Sequence, residues 1–570
     1  MTKGNWIVLL VIVVIAAVPR LYNNGWDSYH SLHPDERFIA MVSNDTQLPS
    51  SFSEYLDPNR SPLNPYSVPN ATGGKKYPLF VYGTFPLTVV KLVAKVVGQD
   101  HYAGYMKVGR VLSALADLLT LSCWFIVVAV LSRIYSWPKI VPCIFGFMYS
   151  FAVLPIQLSH FYTVDTFQSA ACAFALMAAV YARVTATVFW CILVGLGFGI
   201  AVACKISALF SAPIVLWLAL FPAALPTTKA AIVQLLKDIA WRGLVIALVT
   251  VVTTRVCDPH LFESSSLLNL SISQQFIANI RELSAASSWQ EWPWPPGVQW
   301  LARTPMLSPF SDVFWYGIGP VVSFLVLCGI FSRRLRASQM ALLICGWTLL
   351  YFVYHGSRFV HTMRYFLPIY PVFAVLAAHG FLVLSNRKAF LRGHLLSWSM
   401  LAILVLLWPS AFISIYTKPH SRVEASHWIL KNIPPGSVIA VEHWDDGLPL
   451  QVDPSGPRFV AREIGIFGED TPQKWAAIQK ALEGVNYIIL SSNRGYGSMG
   501  RLPMKYPITF AWYESLFKGT KEWEMIYDLH RKPDVHVGPI RLEWDTQNAD
   551  EAFSVYDHPR VTVFRRKKGC

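Results

Sequence analysis

Residues 107–131 read KVGRVLSALADLLTLSCWFIVVAVL. The run has basic residues at its front and a single acid, Asp117, inside it, and as a helix it is long enough to cross about 30 Å of hydrocarbon. Windows of the same kind recur near 5–22, 139–157, 166–184, 187–203, 206–222, 238–256, 313–331, 339–355, 364–384 and 395–416. The spacing therefore predicts a polytopic all-α membrane protein with about eleven transmembrane helices. Composition agrees: mean hydropathy is +0.40 and 14% of residues are charged, against roughly a quarter in a soluble domain. Disordered and fibrous classes are excluded, and a conventional soluble enzyme is disfavoured.

The net charge of +14 does not indicate nucleic acid, because the positives sit in short clusters between apolar runs and not in a basic domain with interleaved aromatics. If the N-terminus is cytoplasmic, the inside loops hold Arg133 and Lys139; Arg183; Lys229, Lys237 and Arg242; Arg333, Arg334 and Arg336; and Arg387, Lys388 and Arg392. Every inside loop is then basic, as the positive-inside rule requires. A cleaved signal peptide is the other reading of the first run, with Lys3 ahead of it and IAAVPR at its end; the sidedness of the later segments is the same under either reading. Parity places 23–105, 158–165, 257–312, 356–363 and everything from 417 outside. The expected division is a transmembrane domain over 1–416, carrying the outer loops 23–105 and 257–312, and an extracytoplasmic domain over 417–570.

In that tail, helices (VEASHWILKNI, TPQKWAAIQKALEG) alternate with strands (SVIAVEHW, NYIILSS, RVTVFRR), which predicts a small α/β domain. The Pro-, Asn- and Ser-rich stretch LDPNRSPLNPYSVPNATGGKK in the first outer loop reads as a long ordered lid or a mobile segment. Of nine cysteines, seven fall in or at the ends of apolar runs and none forms a CxxC pair, so neither a zinc site nor a disulfide framework is indicated.

The segment with most chemistry is SLHPDERFIAMVS, just after the first span. Pro34, Asp35 and Glu36 suit a first helical turn, which alone accounts for them. They also hold two carboxylates at the membrane surface, where one can accept the proton of an attacking hydroxyl. Asp165 in SHFYTVDTFQSA forms a capping-box pattern with Gln168, and also lies at an outer membrane end. Lys75, Lys76, Lys205 and Arg364 lie near the same face; each suits snorkelling, and together they suit a bound phosphate. Arg110 and Asp117 share a helical face, and an intramembrane carboxylate is either functional or buried in a hydrogen bond. Trp289, Trp292, Trp294 and Trp300 fit an interfacial belt or a sugar-stacking surface. Asp445 and Asp446 read as a solvated turn or as a metal or sugar site.

The ordered set HPDERF, KKYPLF, GRVLSALADLLT, the Asp165 loop, ACKISALFSAP and RYFLPIYPVFAVL resembles glycosyltransferase family 39, over residues 1 to about 385. That family includes protein O-mannosyltransferases and the bacterial transferases that put aminoarabinose on lipid A. The resemblance implies a GT-C fold and transfer of one sugar, with inversion, from a polyprenyl-phosphate donor to a hydroxyl of a lipid, glycan or protein outside the cytoplasm, at the cell membrane. It implies that Asp35 is the general base, with Glu36 positioning substrate or backbone. Lys76 and Lys205 would contact donor phosphate, Arg364 with Tyr365 would line the phosphate or lipid region, and Asp165 would organise a second acidic loop. The lipid-linked sugar is a substrate; no cofactor and no metal are expected. Two features depart from the studied members: no β-trefoil segments interrupt the chain, and the tail is like that of uncharacterised bacterial and archaeal members. A transporter or flippase for a lipid-linked or anionic solute is the alternative, disfavoured by the lack of an internal repeat; a non-catalytic scaffold is a third reading, in which Asp35 and Glu36 would face away from any cavity.

Overall fold

The computed structural model describes residues 3–222, 226–385, 394–519 and 522–567. Among the described residues, five helices are long and apolar enough to cross a membrane: Lys3–Leu21, Tyr102–Ile134, Val164–Thr185, Met363–Ser385 and the apolar first part of Trp398–Asn432. Two bent pairs, Val141–Ser150 with Val153–Ser159 and Leu307–Gly317 with Pro320–Ile330, bring the number to seven if each is one span. The chain is a multi-pass membrane protein, but the expected eleven spans are not all of that kind. The other four expected spans also fall on helices, and their lengths and composition explain the difference. Val188–Cys204 has 17 residues, about 25 Å at the helical rise. Ile206–Leu220 is also short, Gln339–Gly356 begins on Gln and ends on Tyr-His-Gly, and Lys229–Cys257 is apolar mainly in its second half.

The sharper bend has a local cause. Between Leu307–Gly317 and Pro320–Ile330 the chain turns by 112°. There Gly319 takes φ +83° ahead of Pro320, and a Cβ on it would lie 2.5 Å from the Trp408 ring. A residue with a side chain would therefore be strained by its backbone and by its neighbour.

The first span is fixed by charge. Arg20 at its end is fully buried and reaches Asp117 at 2.6 Å, while the Tyr149 hydroxyl donates to the same carboxylate at 2.7 Å. Arg20 also donates to the Ser150 carbonyl at 2.8 Å. Asp117 thus binds the first span to the Tyr102–Ile134 helix and to the helix Val141–Ser150, and it does not face Arg110.

Outside the spans, the 23–105 segment is ordered around the helices Pro34–Asp45, Phe52–Leu56 and Phe85–Val96. The tail forms a five-stranded sheet from β1 (Val438–Glu442), β2 (Val460–Ile464), β3 (Tyr487–Leu490), β4 (Trp523–Leu529) and β7 (Val561–Arg566), with a separate hairpin of β5 (Asp534–Val537) and β6 (Ile540–Glu543). The order is β2-β1-β3-β7-β4; β1 runs parallel to β2 and β3, and β7 antiparallel to β3 and β4. Both faces are covered. Ile439, Ile489 and Val563 pack with Ala425 and Ile429 of helix Ser421–Asn432 on one side, and Ala440, Ile488 and Phe564 pack with Trp475 and Tyr513 on the other. Alternation along each strand places successive residues on opposite faces.

The tail docks onto the membrane helices through polar contacts: His420 N–H donates to the Trp26 carbonyl at 3.0 Å, and Gln157 donates to Asp557 at 2.8 Å. Asp445 and Asp446, read from sequence as a solvated turn, belong to this seam. Arg422, itself buried, reaches Asp445 and Asp446 at 2.6 Å each, and Asp446 also pairs with Arg37. Two adjacent acids are exposed by default only when no cation lies above them, and here three elements converge on the turn.

Because the Arg20–Asp117 pair is fully buried, Asp117→Leu should leave an uncompensated guanidinium and destabilise the protein by about 3–5 kcal/mol. The double variant Arg20→Met/Asp117→Leu should recover most of that loss, as read by thermal unfolding in detergent.

Candidate functional site

The site is built on the turn at His33–Arg37. His33 is the N-cap of helix Pro34–Asp45, and its Nδ1 accepts the Asp35 N–H at 3.1 Å. Pro34 supplies the helical φ of the first turn without a wasted donor. Successive side chains on a helix diverge by about 100°, so three neighbours reach three different elements. Asp35 pairs with Arg364, Glu36 with Arg110, and Arg37 with Asp446.

Glu36 is fully buried. Arg110 grips it at 2.8 and 2.7 Å, and its carboxylate also accepts the Tyr162 N–H at 2.8 Å. The same guanidinium holds Asp27 by two bonds of 2.7 Å. Burial pushes the Glu36 carboxyl up in spite of Arg110, whereas for Asp27 the guanidinium outweighs burial and holds the carboxyl low. Glu36 and Arg110 thus position the helix and the Tyr162 backbone.

Asp35 is less enclosed, with 19% of its side chain exposed against 17% for Arg364. Burial opposes its charge, but Arg364 and His33 overcome that and hold its pKa at about 2. The Tyr82 phenol, partly buried beside Asp35, is driven far above its ordinary value by burial and by that carboxylate.

Arg364 opens onto a cavity of about 200 Å³ whose polar wall is Asp165, Lys205, Arg364, Tyr365, Gln168 and Tyr82. Its remaining lining is mostly apolar, including Ile206, Ile280, Leu283 and Leu367. Lys205 enters because it is an extended residue between two helices, with φ −165° and ψ 130°. The KKYPLFVYG segment clamps this break: Gly83 N–H donates to the Cys204 carbonyl at 3.0 Å, and a Cβ on Gly83 would lie 1.9 Å from the Ala203 carbonyl oxygen. Lys205 Nζ lies 2.8 Å from Asp165 and 5.1 Å from the centre of the Tyr365 ring. Asp165 therefore does not cap its helix as the sequence pattern suggested: Thr163 occupies that position, and Gln168 donates to Ser207 at 3.0 Å.

The structure thus brings Asp35, Asp165, Lys205, Arg364 and Tyr365 together and holds Glu36 and Arg110 just behind them. Lys76 lies apart, 43% exposed and paired with Asp45 at 2.6 Å, and Lys75 donates to Gln275 at 3.0 Å. Asp117 is occupied by Arg20. None of the four outer-loop tryptophans lines the cavity; Trp292 carries Lys505 over its ring at 3.8 Å, and Trp300 is buried against His361. Tyr82, Ser207, Tyr351 and His355 also line the cavity and were missed by sequence reasoning, although Tyr82 falls in the KKYPLFVYG segment. Among the described residues no three His, Cys, Asp or Glu side chains are placed to share a metal ion.

No protein-family model and no curated protein matches this chain. Solved structures similar to it include the oligosaccharyltransferase AglB of Archaeoglobus fulgidus in complex with an inhibitory peptide and a dolichol-phosphate. That match has 13% identity and a TM-score of 0.49, covering 100% of this chain and 89% of that one. ArnT from Cupriavidus metallidurans in the apo state is similar at 14% identity and a TM-score of 0.46, covering 99% and 98%. ArnT from the same organism bound to undecaprenyl phosphate gives 16% identity and a TM-score of 0.42, covering 87% and 94%.

Because Arg364 keeps Asp35 ionised against burial, Arg364→Gln should raise the Asp35 pKa from about 2 to above the ordinary carboxylate range. The sign follows from a depressed folded pKa: the pair's contribution is present above the unfolded value and is lost as pH falls through about 2. Infrared titration of the carboxylate band, assigned by its loss in Asp35→Asn, reads the shift.

Proposed function

We propose that this protein is an integral membrane glycosyltransferase that moves a single sugar from a polyprenyl-phosphate donor to a hydroxyl acceptor, with inversion at the anomeric carbon. The observation that carries the reading is the cavity in which Lys205 and Arg364 face one space, with an apolar lining adjoining and Asp35 held behind the lining by its ion pair with Arg364. A lipid phosphate needs both properties: cations for its charged end and an apolar wall for its chain. The basic loops, read as cytoplasmic, support an extracytoplasmic site at the cell membrane, on the same side as the sheet domain.

In the free protein each cation is neutralised by a carboxylate, Arg364 by Asp35 and Lys205 by Asp165. A donor phosphate competes for both. As it draws Arg364 toward itself, Asp35 loses the charge that made it a weak base and gains basicity in place. The acceptor oxygen then attacks the anomeric carbon and its proton passes to Asp35. The bond from that carbon to the phosphate oxygen breaks, and the polyprenyl phosphate leaves with charge stabilised by Lys205 and Arg364. Glu36 and Arg110 hold the base in place without touching the reacting atoms.

With polyprenyl-phosphate hexose and a hydroxyl acceptor in liposomes, the purified protein should release polyprenyl phosphate in step with glycosylated product. Asp35→Asn should lower that rate by about 10²–10⁴ while the protein stays folded, with only the modest drop in melting temperature that loss of one partly exposed ion pair gives. Lys205→Ala should raise the donor concentration needed for half-maximal rate much more than the acceptor concentration. Passage of the lipid-linked sugar across the bilayer without covalent change would identify a flippase and sink the enzyme reading.

A further inference from the structure

The sheet domain carries a second cleft, distinct from the cavity at Lys205. It measures about 540 Å³, and a smaller recess sharing Asn493, Gly497, Arg501 and Gln547 continues from it to Gln299 and Arg303. The cleft lies where β3 and β4 end and β7 begins. Asn493 and Tyr496 follow β3, His530 follows β4, Gln547 comes from the connection into β7, and Arg560 immediately precedes that strand. Ligands of open α/β sheets commonly sit at this carboxyl edge.

The chemistry of the lining is specific. Gln547 Oε1 and Nε2, Tyr496 Oη and His530 Nε2 are buried atoms without a partner among the described residues. Buried polar atoms in native proteins are nearly always satisfied, so four in one cleft point to a ligand or solvent that completes them. They comprise an amide acceptor, an amide donor, a phenol, and an imidazole that burial keeps neutral, with its pKa at about 4. Such a set matches hydroxyl groups, which donate and accept at once. It suits phosphate less well, because that ion is mainly an acceptor and would face the carboxylates of Asp528 and Asp545, and Lys532, which also lines the cleft, lies 4.0 Å from Glu543. Arg560 is already neutralised by Asp528 through bonds of 2.8 and 2.7 Å, and Arg501 donates to the Gln547 carbonyl and to Asn548.

We propose that this cleft binds a saccharide, recognised through its hydroxyls by Asn493, Tyr496, His530 and Gln547, and that the saccharide is the glycan portion of an acceptor. The word acceptor rests on the glycosyltransferase reading; the binding does not. A line of ion pairs links the cleft to the acidic helix. Arg494, next to Asn493, holds Glu551 at 3.0 Å and lies 3.9 Å from Asp445, and the adjacent Asp446 pairs with Arg37, two residues from Asp35.

The test uses the full-length protein in nanodiscs, titrated calorimetrically with mannotriose, maltotriose, cellotriose and chitotriose, and with inorganic phosphate as the control. At least one trisaccharide should bind saturably, at least tenfold more weakly in Gln547→Leu and with unchanged affinity in Asp35→Asn. Should Gln547→Leu melt early, Tyr496→Phe, which deletes one hydroxyl, decides: binding weakened threefold or more supports the site, and unchanged binding overturns it. No binding by any trisaccharide, or phosphate binding that the same variants abolish, overturns it as well. Saccharide binding without transfer from any polyprenyl donor would leave the cleft assigned and remove the enzymatic reading alone.

Discussion

One buried guanidinium organises the polar half of this molecule. Arg110 sits inside a membrane-spanning helix and carries two carboxylates, Asp27 and Glu36, at hydrogen-bond distance. An unpaired charge at that depth is prohibitive, so the segment bearing Asp27 and Glu36 is drawn to one place on the Tyr102–Ile134 helix. Asp35 and Arg37 then have no choice of direction, because they are fixed to the same helical turn. The position of Asp35 beside Arg364 thus follows from a contact made by its neighbour.

The elements legible in the sequence are those whose pattern is set by burial on a full face or all round. The membrane helices and the strands β1, β3 and β7 carry continuous apolar signals, and the tail helices Ser421–Asn432 and Pro472–Leu482 carry one apolar face each. The missed strands are edges. Val460–Ile464 includes Arg462 and Glu463 and is mostly exposed, Trp523–Leu529 alternates weakly, and the hairpin β5–β6 turns at Gly538 with little buried side chain. For the site, the residue types are legible and the pairings are not. Arg110 and Asp117 share a face at two turns' spacing, yet each finds a partner from another segment. Lys76 sits in a motif beside Tyr82, but the path of that segment sends the lysine to Asp45. Local spacing says which face a residue occupies, and only the packing of distant segments says what meets it there.

The resting site is close to electroneutral, two cations against two carboxylates. This is a physical requirement near a low-dielectric boundary, where an uncompensated lysine would lose its charge and an uncompensated arginine would draw in solvent. The same arrangement leaves the cations exchangeable, because both pairs are only partly buried. Compare Arg110 with Asp27 and Glu36, or Arg20 with Asp117: those pairs are sealed, and they hold elements together. Degree of enclosure separates the ion pairs sealed between elements from those beside the cavity.

The bond between Arg37 and Asp446 joins residues 409 positions apart, and it has a meaning in time as well as in space. At ribosomal elongation rates of about 5–20 residues per second, the acidic helix leaves the ribosome roughly 20–80 s before its partner does. Throughout that interval the membrane portion can insert, but the turn at His33–Arg37 lacks the contacts from Asp446 and Tyr556 that complete its outer side. The turn therefore acquires its outer contacts only once residues 446–556 have been made, and a nascent chain in the bilayer stays unfinished until the sheet domain has folded.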